Sequence, residues 1–125
     1  MHDLNESTAI VTGGARGIGL SLARALAENG ARVGLVDILQ DVESAATDLT
    51  RHTGKESLGI QADVRDPDAI DAAFSTITDE LGVPDILITS AGITIWGDSI
   101  DVTPADWQTV IDINLSGTFY AAQSF

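Results

Sequence analysis

Four glycines crowd the segment Thr12-Gly13-Gly14-Ala15-Arg16-Gly17-Ile18-Gly19, directly after the apolar run Ala9-Ile10-Val11. Glycine at this density permits positive φ and lets main-chain N–H groups approach a phosphate with no Cβ in the way. A bare strand-to-helix turn needs only one or two glycines, so the excess points to a ligand loop. A helix starting at the turn would add unpaired N–H groups and a partial positive charge of roughly half a unit. Pyrophosphate is the group such a turn accepts. Asp37 closes a second apolar run, Arg32–Val36, about 20 residues beyond the turn, where dinucleotide sites place the acid that hydrogen-bonds ribose hydroxyls. With its neighbour Ile38 it is assigned to the cofactor site. A carboxylate there repels a 2′-phosphate, so NAD is expected rather than NADP. Arg16 opposes that preference, because a cation in the turn could meet the phosphate.

The glycine spacing is G-x-x-x-G-x-G, and no register gives the commoner G-x-G-x-x-G; a G-x-x-x-x-G-K-[ST] loop is excluded because the segment has no lysine. The chain has no cysteine, so thiolate nucleophiles and thiolate metal sites are unavailable. His2 and His52 stand far apart with no ligand-spaced neighbours, and no metal site is expected. The balance of 6 basic against 19 acidic residues, net −13, argues against nucleic acid or an anionic membrane as a partner. No apolar run approaches the roughly 20 residues that span a bilayer, and Met1–Ser7 lacks the basic and apolar regions of a signal peptide. A cytoplasmic protein is the expectation.

Strands and helices must alternate to hold these residues. Ala9-Ile10-Val11, Arg32–Val36, Leu58–Ala62 and Ile86-Leu87-Ile88 read as strands. The first helix is expected from about Gly17 to Asn29, with Ile18, Leu22 and Leu26 as its apolar stripe and Gly30 as its stop. Asp41 is placed to cap a second, with Val42, Ala45, Ala46 and Leu49 on one face and Gly54 ending it. Asp66-Pro67 opens a third, with Ile70, Phe74, Ile77 and Leu81 in line. Thr103, Pro104 and Asp106 start a last helix that runs through Trp107, Val110, Ile111, Leu115 and Phe119 with no stop signal before Phe125. This alternation predicts an α/β fold, a doubly wound parallel sheet of Rossmann-like type, in one domain over residues 1–125. The unterminated last helix leads us to expect a domain incomplete at its C-terminal end.

Thr-Gly-Gly-x-x-Gly-Ile-Gly resembles the glycine motif of the short-chain dehydrogenase/reductase family, and the resemblance runs along the whole chain. It implies strand order 3-2-1-4. It also implies a cofactor site built from Gly13, Arg16, Gly17, Ile18, Gly19, Asp37 and Ile38, continuing through Asp63 and Val64, which resemble the family's adenine-contacting pair. Ser90-Ala91-Gly92 stands where the family usually has Asn-Ala-Gly, beside the nicotinamide ribose; a serine hydroxyl offers less than the amide it replaces. Asn114 falls on or beside the apolar face of the last helix, where a buried amide must be hydrogen-bonded or costs about 1–3 kcal/mol. Asn114-Leu115-x-Gly117 resembles the family's Asn-x-x-Gly helix, which implies that Asn114 is the asparagine of the catalytic tetrad, distorting its helix and serving the proton relay.

The tetrad's serine and Tyr-x-x-x-Lys pair have no counterpart here: Tyr120 has Ser124 four residues on, and the only lysine is Lys55. The resemblance therefore implies the N-terminal half of an NAD-dependent oxidoreductase that transfers a hydride between cofactor and an alcohol or carbonyl substrate, with homo-oligomers expected. A dinucleotide-binding module without catalysis, half of a split enzyme, and a fold relative binding another adenine ligand such as a methyl donor stay open. Ile93–Ile100, with Trp96, either borders a substrate pocket or serves packing.

Overall fold

The computed structural model describes residues 3–125; His2 lies outside them. Strand β1 (Thr8–Thr12) is followed by α1 (Gly17–Glu28), β2 (Arg32–Asp37), α2 (Val42–Thr53), β3 (Ser57–Gln61), α3 (Pro67–Leu81) and β4 (Ile86–Thr89). A short 3₁₀ turn at Ser99–Asp101 leads into α4 (Pro104–Ile111), which passes through Asp112–Ser116 into α5 (Gly117–Ser124). All pairings are parallel and the sheet order is β3-β2-β1-β4, the order that the family resemblance implies.

Helices cover both faces of the sheet, as expected for parallel strands. On one face Ala9, Val11, Val33 and Leu35 pack with Ala23 and Ala27 of α1 and Val42, Ala46 and Leu49 of α2. On the other, Ile10 and Val36 meet Ile70, Phe74, Ile77 and Leu81 of α3 and Ala121 of α5. Gly34 lets α3 sit close, because a Cβ there would stand 2.6 Å from the Ile77 side chain.

Two capping motifs work as the spacing predicts. Asp66 accepts from the N–H groups of Asp68 and Ala69, and Thr103 accepts from the N–H of Asp106. Gly54 ends α2 in the left-handed conformation at φ +72°. Three expectations need correction. Asp41 does not cap α2 with its side chain; its main-chain carbonyl accepts from Ala45 N–H and the Ser44 hydroxyl instead. The buried face of α1 is Gly19, Ala23 and Ala27, while Ile18 and Leu22 are exposed and Leu26 only half-buried. Small residues face the sheet because α1 lies too close for large ones. The last helix is not one regular α-helix; the local distortion that the family resemblance implies at Asn114 is present as a π-helical turn over Asp112–Ser116, in which the N–H of Gly117 reaches back to the carbonyl of Asp112. Asn114 sits in that turn and is exposed rather than buried.

Candidate functional site

The glycine turn is stapled to the end of β2. The N–H groups of Gly13 and Gly14 donate to Val36 O at 2.8 and 3.4 Å, and that of Ala15 donates to Asp37 Oδ2 at 3.0 Å. Gly13 has φ +69°, and a Cβ on it would stand 2.6 Å from Ala91 N, so glycine is what admits the β4 end beside β1. A Cβ on Gly19 would collide with Gly13 O. Gly17 differs: its φ is +59° and nothing lies within 4 Å of where its Cβ would be. Its side faces open space. No side chain caps α1 at Arg16, which is extended and exposed. The N–H groups of the first turn, Gly17 to Gly19, are the ones a helix leaves without partners of its own.

Asp37 is half-buried, with Oδ1 accepting from Leu39 N–H at 3.0 Å while Oδ2 holds Ala15. Each carboxylate oxygen keeps capacity for a further donor. Ile38 beside it is exposed, and its carbonyl accepts from Gln61 Nε2 at 2.8 Å, tying the corner to the edge strand β3. Asp63 is engaged by Arg65, whose Nη2 lies 2.6 Å from Oδ2 and whose Nε lies 3.0 Å from Oδ1. The hydrogen bonds and charge of that guanidinium hold the Asp63 carboxyl below its ordinary value of 3.8, against the opposing effect of partial burial. Val64 is buried against Gly117, where a Cβ would stand 2.7 Å from Val64 Cγ2. The Asn-x-x-Gly spacing thus brings α5 against the loop after β3.

Ser90 follows β4, its N–H donating to Thr12 O at 3.1 Å. Its hydroxyl lies 3.3 Å from where a Cβ on Gly19 would stand. Directly after Ala91 and Gly92, Ile93 pairs with Asn114: Ile93 N–H donates to Asn114 Oδ1, and Asn114 Nδ2 donates to Ile93 O, both at 2.9 Å.

One cavity of about 340 Å³ opens at the carboxyl ends of the strands, where ligands of open α/β sheets sit. Gly13, Arg16, Gly17, Ile18, Gly19, Asp37, Ile38, Asp63, Val64, Ser90, Ala91 and Gly92 all line it. Asn114 does not, and reaches it only through Ile93. Leu39, Ala62 and Ile113 also line the cavity and carry no motif that marks them in the sequence; being apolar and next to marked residues is their only signal, while Ile93, the first residue of the segment Ile93–Ile100, lines it as well. Lys55 lies at the opposite end of the sheet, bonded to Asn5 Oδ1 at 2.8 Å. Trp96 is 90% exposed and neither lines the cavity nor packs.

A dinucleotide fits what is present: an uncapped helix start, an open flank at Gly17, and a fixed carboxylate with unused lone pairs beside it. No cluster of metal ligands occurs among the described residues, and no described helix is long and apolar enough to cross a membrane.

Comparison with known proteins agrees with this geometry. The family model for short chain dehydrogenase matches residues 7–125. A versicolorin reductase from Emericella nidulans is 37% identical over 98% of the chain and 47% of its own length. An acetoacetyl-CoA reductase from Synechocystis is 36% identical over 98% of the chain and 47% of its own length. Crystal structures of a dehydrogenase/reductase from Sinorhizobium meliloti (35% identity, TM-score 0.92, 98% of this chain and 49% of that one) and a short-chain type dehydrogenase/reductase from Mycobacterium marinum (32%, TM-score 0.91, 98% and 48%) share the fold. The chain spans about half the length of the curated relatives it matches.

Proposed function

The chain belongs to the short chain dehydrogenase family, and on that premise we propose that it forms the NAD-binding part of an oxidoreductase acting on a small alcohol or carbonyl compound. The observation that carries this is the cavity between the uncapped start of α1 and the carboxylate of Asp37. When bound, the nicotinamide supplies or accepts the hydride that interconverts alcohol and carbonyl.

The chain's own residues bind and orient. The first-turn N–H groups of α1, with Gly17 leaving its flank open, receive the pyrophosphate. Asp37 accepts from the adenosine ribose hydroxyls and disfavours a 2′-phosphate, which selects NAD over NADP; Arg16 is the opposing influence. Asp63 and Val64 would hold the adenine, and Ile38 would add an apolar contact beside Asp37. Ser90, Ala91 and Gly92 border the nicotinamide end. Asn114 holds the main chain at Ile93, and the catalytic assignment it carries rests on the resemblance of Asn114-Leu115-x-Gly117 to the family's Asn-x-x-Gly helix. Proton transfer at the substrate oxygen is assigned to the serine and Tyr-x-x-x-Lys pair of the family, in the portion of its relatives' length that this chain does not span. The excess of 19 acidic over 6 basic residues supports small-molecule chemistry over nucleic acid, and a cytoplasmic setting belongs to the same proposal. So does homo-oligomerisation, since Trp107, Leu115 and Phe119 stand 63, 64 and 58% exposed along α4, the π-helical turn and α5.

Calorimetric titration of the full-length protein with NAD and NADP tests the assignment. Tighter binding of NAD is expected. Absence of NAD binding, or a preference for NADP, would overturn it.

A further inference from the structure

The carboxylate of Asp37 is already in use before any ligand arrives. Its Oδ2 accepts the N–H of Ala15, 22 residues earlier in the middle of the glycine turn, and its Oδ1 accepts that of Leu39. With Gly13 and Gly14 both donating to Val36 O, three consecutive N–H groups of the turn end on the last two residues of β2. The first two rest on a main-chain carbonyl that any residue would provide. The third rests on the Asp37 side chain alone.

We propose that Asp37 is a positioning residue for the glycine turn as well as a ribose ligand. In this role it sets the direction in which the first-turn N–H groups of α1 face the cavity. The inference rests on the cofactor assignment above and extends it: pyrophosphate binding and ribose selection share one carboxylate. The physical basis is preorganisation. Ala15 is buried, so its N–H has little access to water if Asp37 is removed, and a buried donor left unpaired is costly. The turn then shifts to satisfy it, carrying Arg16 and Gly17 with it. A carboxylate held from both sides also loses little further freedom when a ribose docks. Removing Asp37 to admit NADP therefore loosens the phosphate loop on which both cofactors depend.

Two measurements separate the roles. Amide hydrogen exchange on the ligand-free protein reads the turn directly: Asp37→Ala is expected to speed exchange at Ala15 by about tenfold. Asp37→Asn, which retains an acceptor oxygen, is expected to restore most of the protection. The second measurement is titration with 2′,3′-dideoxyadenosine diphosphate, which has no ribose hydroxyl for residue 37 to bind. Both variants are neutral, so their comparison is free of charge effects. Asp37→Asn is expected to bind this probe about fivefold more tightly than Asp37→Ala. Unchanged exchange at Ala15 in Asp37→Ala, or equal affinity of the two variants for the probe, overturns the proposal. If the protein binds no adenine dinucleotide at all, the cofactor assignment fails while the exchange result still decides the positioning role.

Discussion

The side chain of Asn114 pairs in both directions with the main chain of Ile93, accepting its N–H and donating to its carbonyl at 2.9 Å each. An amide matches a peptide unit in this way because it carries one donor and one acceptor side by side. The pair fixes the segment after β4 against the π-helical turn, and Gly92 permits the approach, since a Cβ there would stand 3.2 Å from Asn114 Oδ1.

Asn114→Ala removes both bonds at an exposed site and is expected to cost about 1 kcal/mol, read from urea unfolding. Asn114→Asp is expected to cost more at neutral pH, because its second oxygen then faces the Ile93 carbonyl with no proton between them. Equal losses for the two would argue against the donor half of the pair.

The glycines of the turn should separate by role. In Gly19→Ala the new methyl meets the Gly13 carbonyl, so a stability loss of roughly 3 kcal/mol is expected. Gly17→Ala meets no atom and bears only the left-handed backbone cost of about 1–2 kcal/mol. Its larger consequence should be weaker NAD binding, because the methyl enters the open flank of the helix start. Thermal unfolding paired with NAD titration checks both.

Asp37→Ala is expected to weaken NAD by about tenfold or more and to narrow the ratio of NAD to NADP affinity. Titration with each cofactor gives the result; unchanged affinity for both would remove Asp37 from the ribose.

The Asp63–Arg65 pair should appear in the pH dependence of stability. Its hydrogen bonds lower the folded-state pKa of Asp63 below the ordinary 3.8. A depressed carboxyl pKa contributes stability above the unfolded value and loses it as pH falls through the folded one. Asp112 also favours the charged Arg65. Arg65→Met should therefore be less stable than the native protein at pH 7, with the difference disappearing at pH well below 3.8; the pair is partly exposed, so the difference should be small and salt-sensitive. Denaturant unfolding at the two pH values checks this.

Trp107 and Phe119 are expected to be buried by self-association. Sedimentation should show an assembly that Trp107→Glu with Phe119→Glu converts to a smaller species without unfolding it.

Much of this was legible in the sequence, for a physical reason. Capping at Asp66 and Thr103, the stripe Ile70–Phe74–Ile77–Leu81 and the alternation of strands and helices depend on neighbours three or four residues away, and these the order of residues determines directly. The glycine spacing and the placing of Asp37 at the end of β2 carry over in the same way, since both are set by how far the chain travels through one strand and one helix. Tertiary structure decided the rest. α1 buries Gly19, Ala23 and Ala27 because its start presses against the Gly13 carbonyl, leaving no room for Ile18 or Leu22, and hydrophobicity alone cannot announce a distance of approach. The bonds of Asp37 to Ala15 and of Asn114 to Ile93 join residues 22 and 21 apart. Parallel pairing of β1 with β2 brings the first two partners together, and the packing of α5 against α3 and β4 brings the second two.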